Sequence, residues 1–188
     1  MEKLICPGLS RTGSRSLAAA LEILGYKTSH WQPHRLRDVI MGHTATPNFK
    51  RFNDVDAILD LPASIFFKEL LDAYKDSKII LTVREENQWF DSVWKHYQWV
   101  HQNLKDDLLS EAIVTQQIAY GTTNCNKFIY CKKFREHNES VKALGGVLIM
   151  DICNGDKWEK LCEWLNVPVP NVVFPNVSKN QSPHASDQ

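Results

Sequence analysis

The sequence predicts an α/β domain of three layers, a mainly parallel sheet covered by helices on both faces. Short apolar runs near residues 3–6, 56–60, 78–83 and 147–150 alternate with longer stretches whose apolar residues recur at helical spacing. The run Lys78-Ile79-Ile80-Leu81-Thr82-Val83 is the clearest strand, rich in apolar and β-branched residues, as the buried centre of a parallel sheet requires. Parallel strands joined by crossover helices then place their carboxyl ends on one rim, where such folds carry their sites.

The first stretch organises the rest. Leu4-Ile5-Cys6 reads as a strand closed by Pro7-Gly8, and a helix begins near Gly13, with Leu17, Ala20, Leu21 and Leu24 on one face and Gly25 as stop signal. Strand, glycine-bearing turn and helix aim free backbone N–H groups at one spot, where the helix dipole also favours negative charge. Arg11, Arg15 and the hydroxyls of Ser10, Thr12, Ser14 and Ser16 share that turn. It has the makings of a phosphate-type anion site; the plainer reading is a helix start rich in capping residues. Gly8 and Gly13 keep the glycine spacing of the nucleotide-hydrolase loop G-x-x-x-x-G-K-[ST]. Ser14, however, stands where that loop needs lysine, and Arg15 where it needs the magnesium-binding hydroxyl.

Tyr26-Lys27-Thr28-Ser29-His30 follows as a possible short strand. His30 and His34 have a spacing that suits a metal on a helix, but Pro33 breaks the helix and no third ligand is apparent. His30 near the substrate, or simply a packed or surface histidine, are the other readings. Asp56 to Leu61 reads as a strand entering a turn at Pro62, and a helix follows with Ile65, Phe66, Leu70, Leu71 and Tyr74 spaced to bury one face. Asp60 stands at the carboxyl end of that strand, as a site residue or as a plain turn residue. Arg84 ends the 78–83 strand, and a helix then carries Trp89, Phe90, Val93, Tyr97 and Val100, with Ser92 two turns in. A strand-end arginine reaches a phosphate with a bidentate fork, or forms a surface ion pair.

Two helices over about 105–120 and 124–144 are joined by Gly121-Thr122-Thr123; Leu108, Leu109, Ile113 and Ile118 are expected to pack on the domain or on a lid. Lys132-Lys133-Phe134-Arg135 is a solvated helix face or an extension of the anion surface. Gly145-Gly146 turns into the strand 147–150, and a last helix from Asp156 or Lys157 to Leu165 buries Trp158, Leu161, Cys162 and Leu165. Residues 1–175 form one domain, and 176–188 a polar tail expected to be mobile.

The chain has 188 residues, enough for one full core, and Lys plus Arg balance Asp plus Glu at 22 each. No global charge argues for nucleic acid or a membrane surface, so anion binding rests on local clusters. No stretch reaches transmembrane length, and a strand starting by Lys3 leaves no room for a signal peptide. The five cysteines are odd in number and lack C-x-x-C spacing, which fits reduced thiols in the cytoplasm.

Arg11-Thr12-Gly13-Ser14 resembles the K/R-S-G-T loop of sulfotransferases, which holds the 5′-phosphosulfate of 3′-phosphoadenosine 5′-phosphosulfate (PAPS). Arg84 and Ser92, eight apart, are similar to the arginine and serine with which those enzymes bind the 3′-phosphate. Asp60-Leu61-Pro62 stands where cytosolic members place a catalytic histidine before Leu-Pro. A divergent, uncharacterised branch resembles the chain more closely. It shares the Gly8–Leu17 loop, Asp60 to Pro62, Ile80 to Arg84 with Trp89, Trp158 to Leu165, and Phe174-Pro175-Asn176-Val177-Ser178, which has serine at its last position. The likeness spans nearly the whole chain, although no R-K-G segment covers the nucleotide.

The resemblance implies a P-loop NTPase-like sulfotransferase fold and transfer of a sulfuryl group from PAPS to an acceptor hydroxyl or amine, leaving 3′-phosphoadenosine 5′-phosphate (PAP), with no metal. Arg11, Thr12, Gly13, Ser14, Arg15 and Ser16 would hold the phosphosulfate, and Arg84 with Ser92 the 3′-phosphate. Arg11 would also stabilise the leaving oxygen, and Asp60 would act as base if burial raised its pKa. The acceptor would be a small molecule or glycan, with neither nucleic acid nor membrane as partner, in the cytoplasm. A nucleotide-kinase-like phosphotransferase and a catalytically silent nucleotide-binding homologue are the alternatives.

Overall fold

The computed structural model describes residues 2–177 apart from Ala45 and Pro62. Strands β1 (Leu4–Cys6), β2 (Thr28–His30), β3 (Ala57–Leu59), β4 (Lys78–Thr82) and β5 (Val147–Met150) form one sheet in the order β2-β3-β1-β4-β5, and each pair is parallel. Helices α1 (Ser14–Ile23), α2 (Arg37–Ile40), α3 (Phe67–Ala73), α4 (Glu86–Asn103), α5 (Asp106–Tyr120), α6 (Lys127–Lys142) and α7 (Trp158–Leu165) complete the fold. The expected α/β architecture is the observed one.

Strand β1 is apolar throughout because both its faces are covered. Leu4 and Cys6 join Leu17 and Leu21 of α1 and Trp158, Leu161 and Cys162 of α7 in one core. Ile5 joins Leu70 of α3 and Val141 of α6 on the opposite face. A third cluster ties α4, α5 and α6 together, with Trp89 stacked on Phe134 at 4.1 Å and Tyr120 on Tyr130 at 4.1 Å.

The strand order sets the site. From β1 the chain turns towards β2, whereas from the neighbouring β4 it turns towards β5, so the carboxyl ends of β1 and β4 flank the point where the connections diverge. The residues that follow these two strands, and those that follow β3, therefore meet at one rim.

Several expected details differ. The helix after Asp60 begins at Phe67 and buries Phe67 and Leu70, while Phe66 is left in the preceding turn. Helix α5 does not pack through its large apolar residues. Leu108 and Ile118 are 56% and 41% exposed, and Ala112, Thr115 and Tyr120 face inwards instead. In the 132–135 run Phe134 is buried, Lys132 and Lys133 pair with Glu136, and Arg135 pairs with Glu86, so the run is a solvated face. All five cysteines are free thiols, and only Cys153 is exposed. Among the described residues no helix is long and apolar enough to cross a membrane. Val177, at the start of the expected tail, donates its N–H to Ser16 Oγ at 3.1 Å; Ser178 onwards lies outside the described residues, as does Pro62.

Candidate functional site

The turn after β1 is held by its neighbours rather than by itself. A side chain at Gly8 would put its Cβ 2.0 Å from Thr82 Oγ1 and 2.9 Å from the Thr82 carbonyl oxygen, so only glycine lets the turn lie against the end of β4. Thr12 is fully buried; its hydroxyl donates to the Leu9 carbonyl at 2.6 Å and lies 2.7 Å from Thr82 Oγ1. The indole N–H of fully buried Trp89 donates to the Ser10 carbonyl at 3.0 Å. Two residues of this turn adopt left-handed backbone, Gly13 at φ 101° and, against the preference of a residue with a Cβ, Arg11 at φ 73°. Such strain concentrates where a site needs a set geometry.

Gly13 caps α1 without a side chain, and the first turn of the helix carries no acidic residue. The positive end of the helix therefore faces the rim. Arg11 Nε donates to Ser92 Oγ at 3.1 Å, and Arg84 Nη1 donates to the Arg11 carbonyl at 3.3 Å. Arg11 thus meets both Arg84 and Ser92, and Ser92, expected to act with Arg84, is tied to Arg11 instead. Arg84 Nε is buried without a partner. Partial desolvation, followed by the like charges of Arg15 and Arg84, lowers the pKa of Arg11 while Asp60 opposes them. Among the described residues neither Arg11 nor Arg84 has a carboxylate within ion-pair distance.

Asp60 lies directly after β3, 7% exposed and in left-handed backbone at φ 61°. Its carboxylate accepts from the Ser10 hydroxyl, from Ser14 Oγ at 3.1 Å and from the Leu61 N–H at 2.8 Å, and it lies 3.2 Å from His30 Nε2. Burial raises its pKa, but the His30 interaction, the Ser10 hydroxyl and the Leu61 N–H outweigh that and hold it at about 2. The expectation that burial makes Asp60 basic is not met. A carboxylate so tightly bound is a poor proton acceptor at neutral pH; what it does here is fix the two serines and His30. Because it can only accept hydrogen bonds, His30 Nε2, which is also 3.0 Å from Ser14 Oγ, carries the proton.

The hydroxyls expected to face the ligand are therefore differently occupied. Thr12 faces β4, Ser14 faces Asp60 and His30, and Ser16 accepts from Val177, which leaves the backbone N–H groups of this turn as what these residues could offer an anion. Among the described residues no group of three or more His, Cys, Asp or Glu is placed to hold a metal, and His34 is exposed.

Two residues stand out only in the structure. Ser10 lies inside the loop motif, and its hydroxyl binds Asp60. His96 lies one helical turn after Ser92 on α4, an i, i+4 relation that puts it on the stripe facing Arg11. Burial, then the charge of Arg11, pushes its pKa down to about 4.

Residues 3–182 match the model of the sulfotransferase domain family. The Ava biosynthesis cluster protein M of Aspergillus versicolor is 27% identical over 210 aligned residues, covering 93% of this chain and 80% of that protein. The crystal structure of a sulfotransferase from Alicyclobacillus acidocaldarius superposes with a TM-score of 0.56 at 15% identity, over 97% of this chain and 87% of the other. That likeness is one of fold.

Proposed function

This chain belongs to the sulfotransferase domain family, and from that premise we propose that it moves a sulfuryl group from PAPS to an acceptor hydroxyl or amine. The observation that carries the proposal is the convergence of Arg11, Arg84 and the α1 N-terminus on one rim, with no carboxylate paired to either arginine among the described residues. A ligand with two separated phosphate-type groups suits that charge. In this reading the phosphosulfate lies against the Thr12–Ser16 N–H groups, and the 3′-phosphate beside Arg84, whose buried Nε lacks a partner.

As the S–O bond of the donor breaks, its electron pair passes to the bridging phosphate oxygen. Arg11 and the helix N-terminus stabilise that growing charge without reorganising, since Trp89, Thr12 and Thr82 already hold the loop. Asp60 serves this step by positioning Ser10 and Ser14. Serine at position 14 leaves no lysine and no magnesium ligand of the kinase type, which disfavours phosphoryl transfer.

Calorimetric titration of PAP tests the donor site, with AMP and ATP·Mg²⁺ as controls. Micromolar binding that needs the 3′-phosphate, ignores Mg²⁺ and weakens at least tenfold in Arg84→Ala is the expected result. Preference for ATP·Mg²⁺ would overturn the reading in favour of a kinase-like protein. PAP binding without turnover of PAPS across a broad acceptor panel would make the chain a silent nucleotide-binding homologue.

A further inference from the structure

Beside the glycine-bearing loop a crevice opens between the loop and helices α4, α5 and α6. Ser10 and Arg11 form its floor, Val93 and His96 of α4 one wall, and Gln116 of α5 and Tyr130 of α6 the other. Two polar atoms in this lining, Gln116 Oε1 and Tyr130 Oη, are buried with no hydrogen-bond partner. Buried polar atoms seldom go unpaired, so two of them facing one crevice point to a ligand that supplies the missing bonds. His96 makes no hydrogen bond among the described residues; its ring lies parallel to Trp99, 6.1 Å away.

We propose that this crevice receives the acceptor's hydroxyl and that His96 takes its proton. The inference rests on the donor reading above. The enclosed space is only about 30 Å³, room for about one water-sized group. It therefore takes the reacting end of an acceptor beside buried Val93, while the body lies at the mouth against the partly exposed Tyr97. Those neighbours select an uncharged hydroxyl compound with a flat apolar body. The hydroxyl has one proton to give: it is donated to Gln116 Oε1 on binding and turns to His96 for the reaction, while Tyr130 Oη donates to the acceptor oxygen.

The step balances as a single displacement. The acceptor oxygen forms a bond to the donor's sulfur as the bond from sulfur to the bridging phosphate oxygen breaks. The electron pair of that bond stays on the phosphate, and the acceptor's proton passes to the imidazole. His30 is the rival base, but it does not line the crevice, and its Nε2 is engaged by Asp60 and Ser14. The groups facing His96 are Arg11 and Arg15 from the loop and α1, Asp60 after β3, Tyr97 on its own helix, and Tyr120 and Tyr130 across the crevice. Burial disfavours its protonation first, and the cations Arg11 and Arg15 add to that while Asp60 opposes them. A bound polyanion neutralises the two cations, so the donor, once seated, removes their part and makes His96 more basic.

Histidine-ring NMR tests this directly, with the His96 signal assigned by its loss in His96→Gln. The midpoint near pH 4 should rise by more than one pH unit when PAP is added. With PAP bound, 2-naphthol should bind and shift that signal. Val93→Phe, which fills the crevice, should lose 2-naphthol while keeping PAP, with Gln116→Leu as a second variant and melting curves for all. His96→Gln should lower kcat about a hundredfold with KM for PAPS unchanged. PAP that binds without moving His96, 2-naphthol that fails to bind or ignores Val93→Phe, or full activity in His96→Gln with loss in His30→Gln would each overturn the proposal. Failure of PAP to bind wild type would instead overturn the donor reading.

Discussion

Replacing Asp60 with asparagine removes the charge around which Ser10, Ser14, His30 and the Leu61 N–H are arranged, while barely changing shape. The carboxyl is held at about 2 instead of 3.8, which corresponds to about 2 kcal/mol of stability at neutral pH. Asparagine also turns an N–H₂ group towards partners that already donate, leaving a buried donor unpaired at a further cost of about 1–3 kcal/mol. Asp60→Asn should therefore cost about 3–5 kcal/mol, or roughly 10 °C in Tm for a chain of this size. The pH dependence carries the sharper test. A carboxyl with a lowered folded pKa contributes its full stability above the ordinary carboxylate value and loses it as pH falls towards 2. Urea unfolding of wild type and variant should thus differ most near pH 7 and converge as pH falls below about 4. A difference that is absent at pH 7, or the same at pH 7 and pH 3, would refute the account of Asp60 as a buried, hydrogen-bonded anion.

Gly8→Ala drives a methyl group into Thr82, so the variant should be less stable by about 1–3 kcal/mol and should bind PAP more weakly; a wild-type melting curve would contradict the close approach of β1 to β4. Arg11 is open to solvent on one side, so Arg11→Ala should keep the wild-type Tm yet lose about 10²–10³ in turnover, about 3 kcal/mol, measured as PAPS-dependent product formation with any acceptor found.

The fold and the loop were legible because their signals are local. Apolar runs at strand length, helical periodicity after Gly13 and the glycine spacing of the turn each depend on a few neighbouring residues, and strands β1, β3, β4 and β5 lie where those runs are. Trp89 was legible as a motif residue, but its purpose was not: its indole N–H reaches a carbonyl 79 positions away. Helix α5 misled for a related reason. Its largest apolar residues read as a buried face, yet the helix turns Ala112 and Thr115 inwards and leaves Leu108 outside.

By itself, then, the sequence determined the class of fold, the strand–turn–helix around Gly8 and Gly13 and the residues that would crowd it, since each follows from local pattern and chemistry. The tertiary structure alone decided what those residues do. Asp60 reads as a candidate base in the chain, but its charge state depends on Ser10 and His30, 50 and 30 positions away. His96 carries no motif; it becomes notable only because parallel crossovers bring α4, α5 and α6 beside the loop. A pKa depends on burial and on charges contributed by distant segments, and no short-range pattern encodes it.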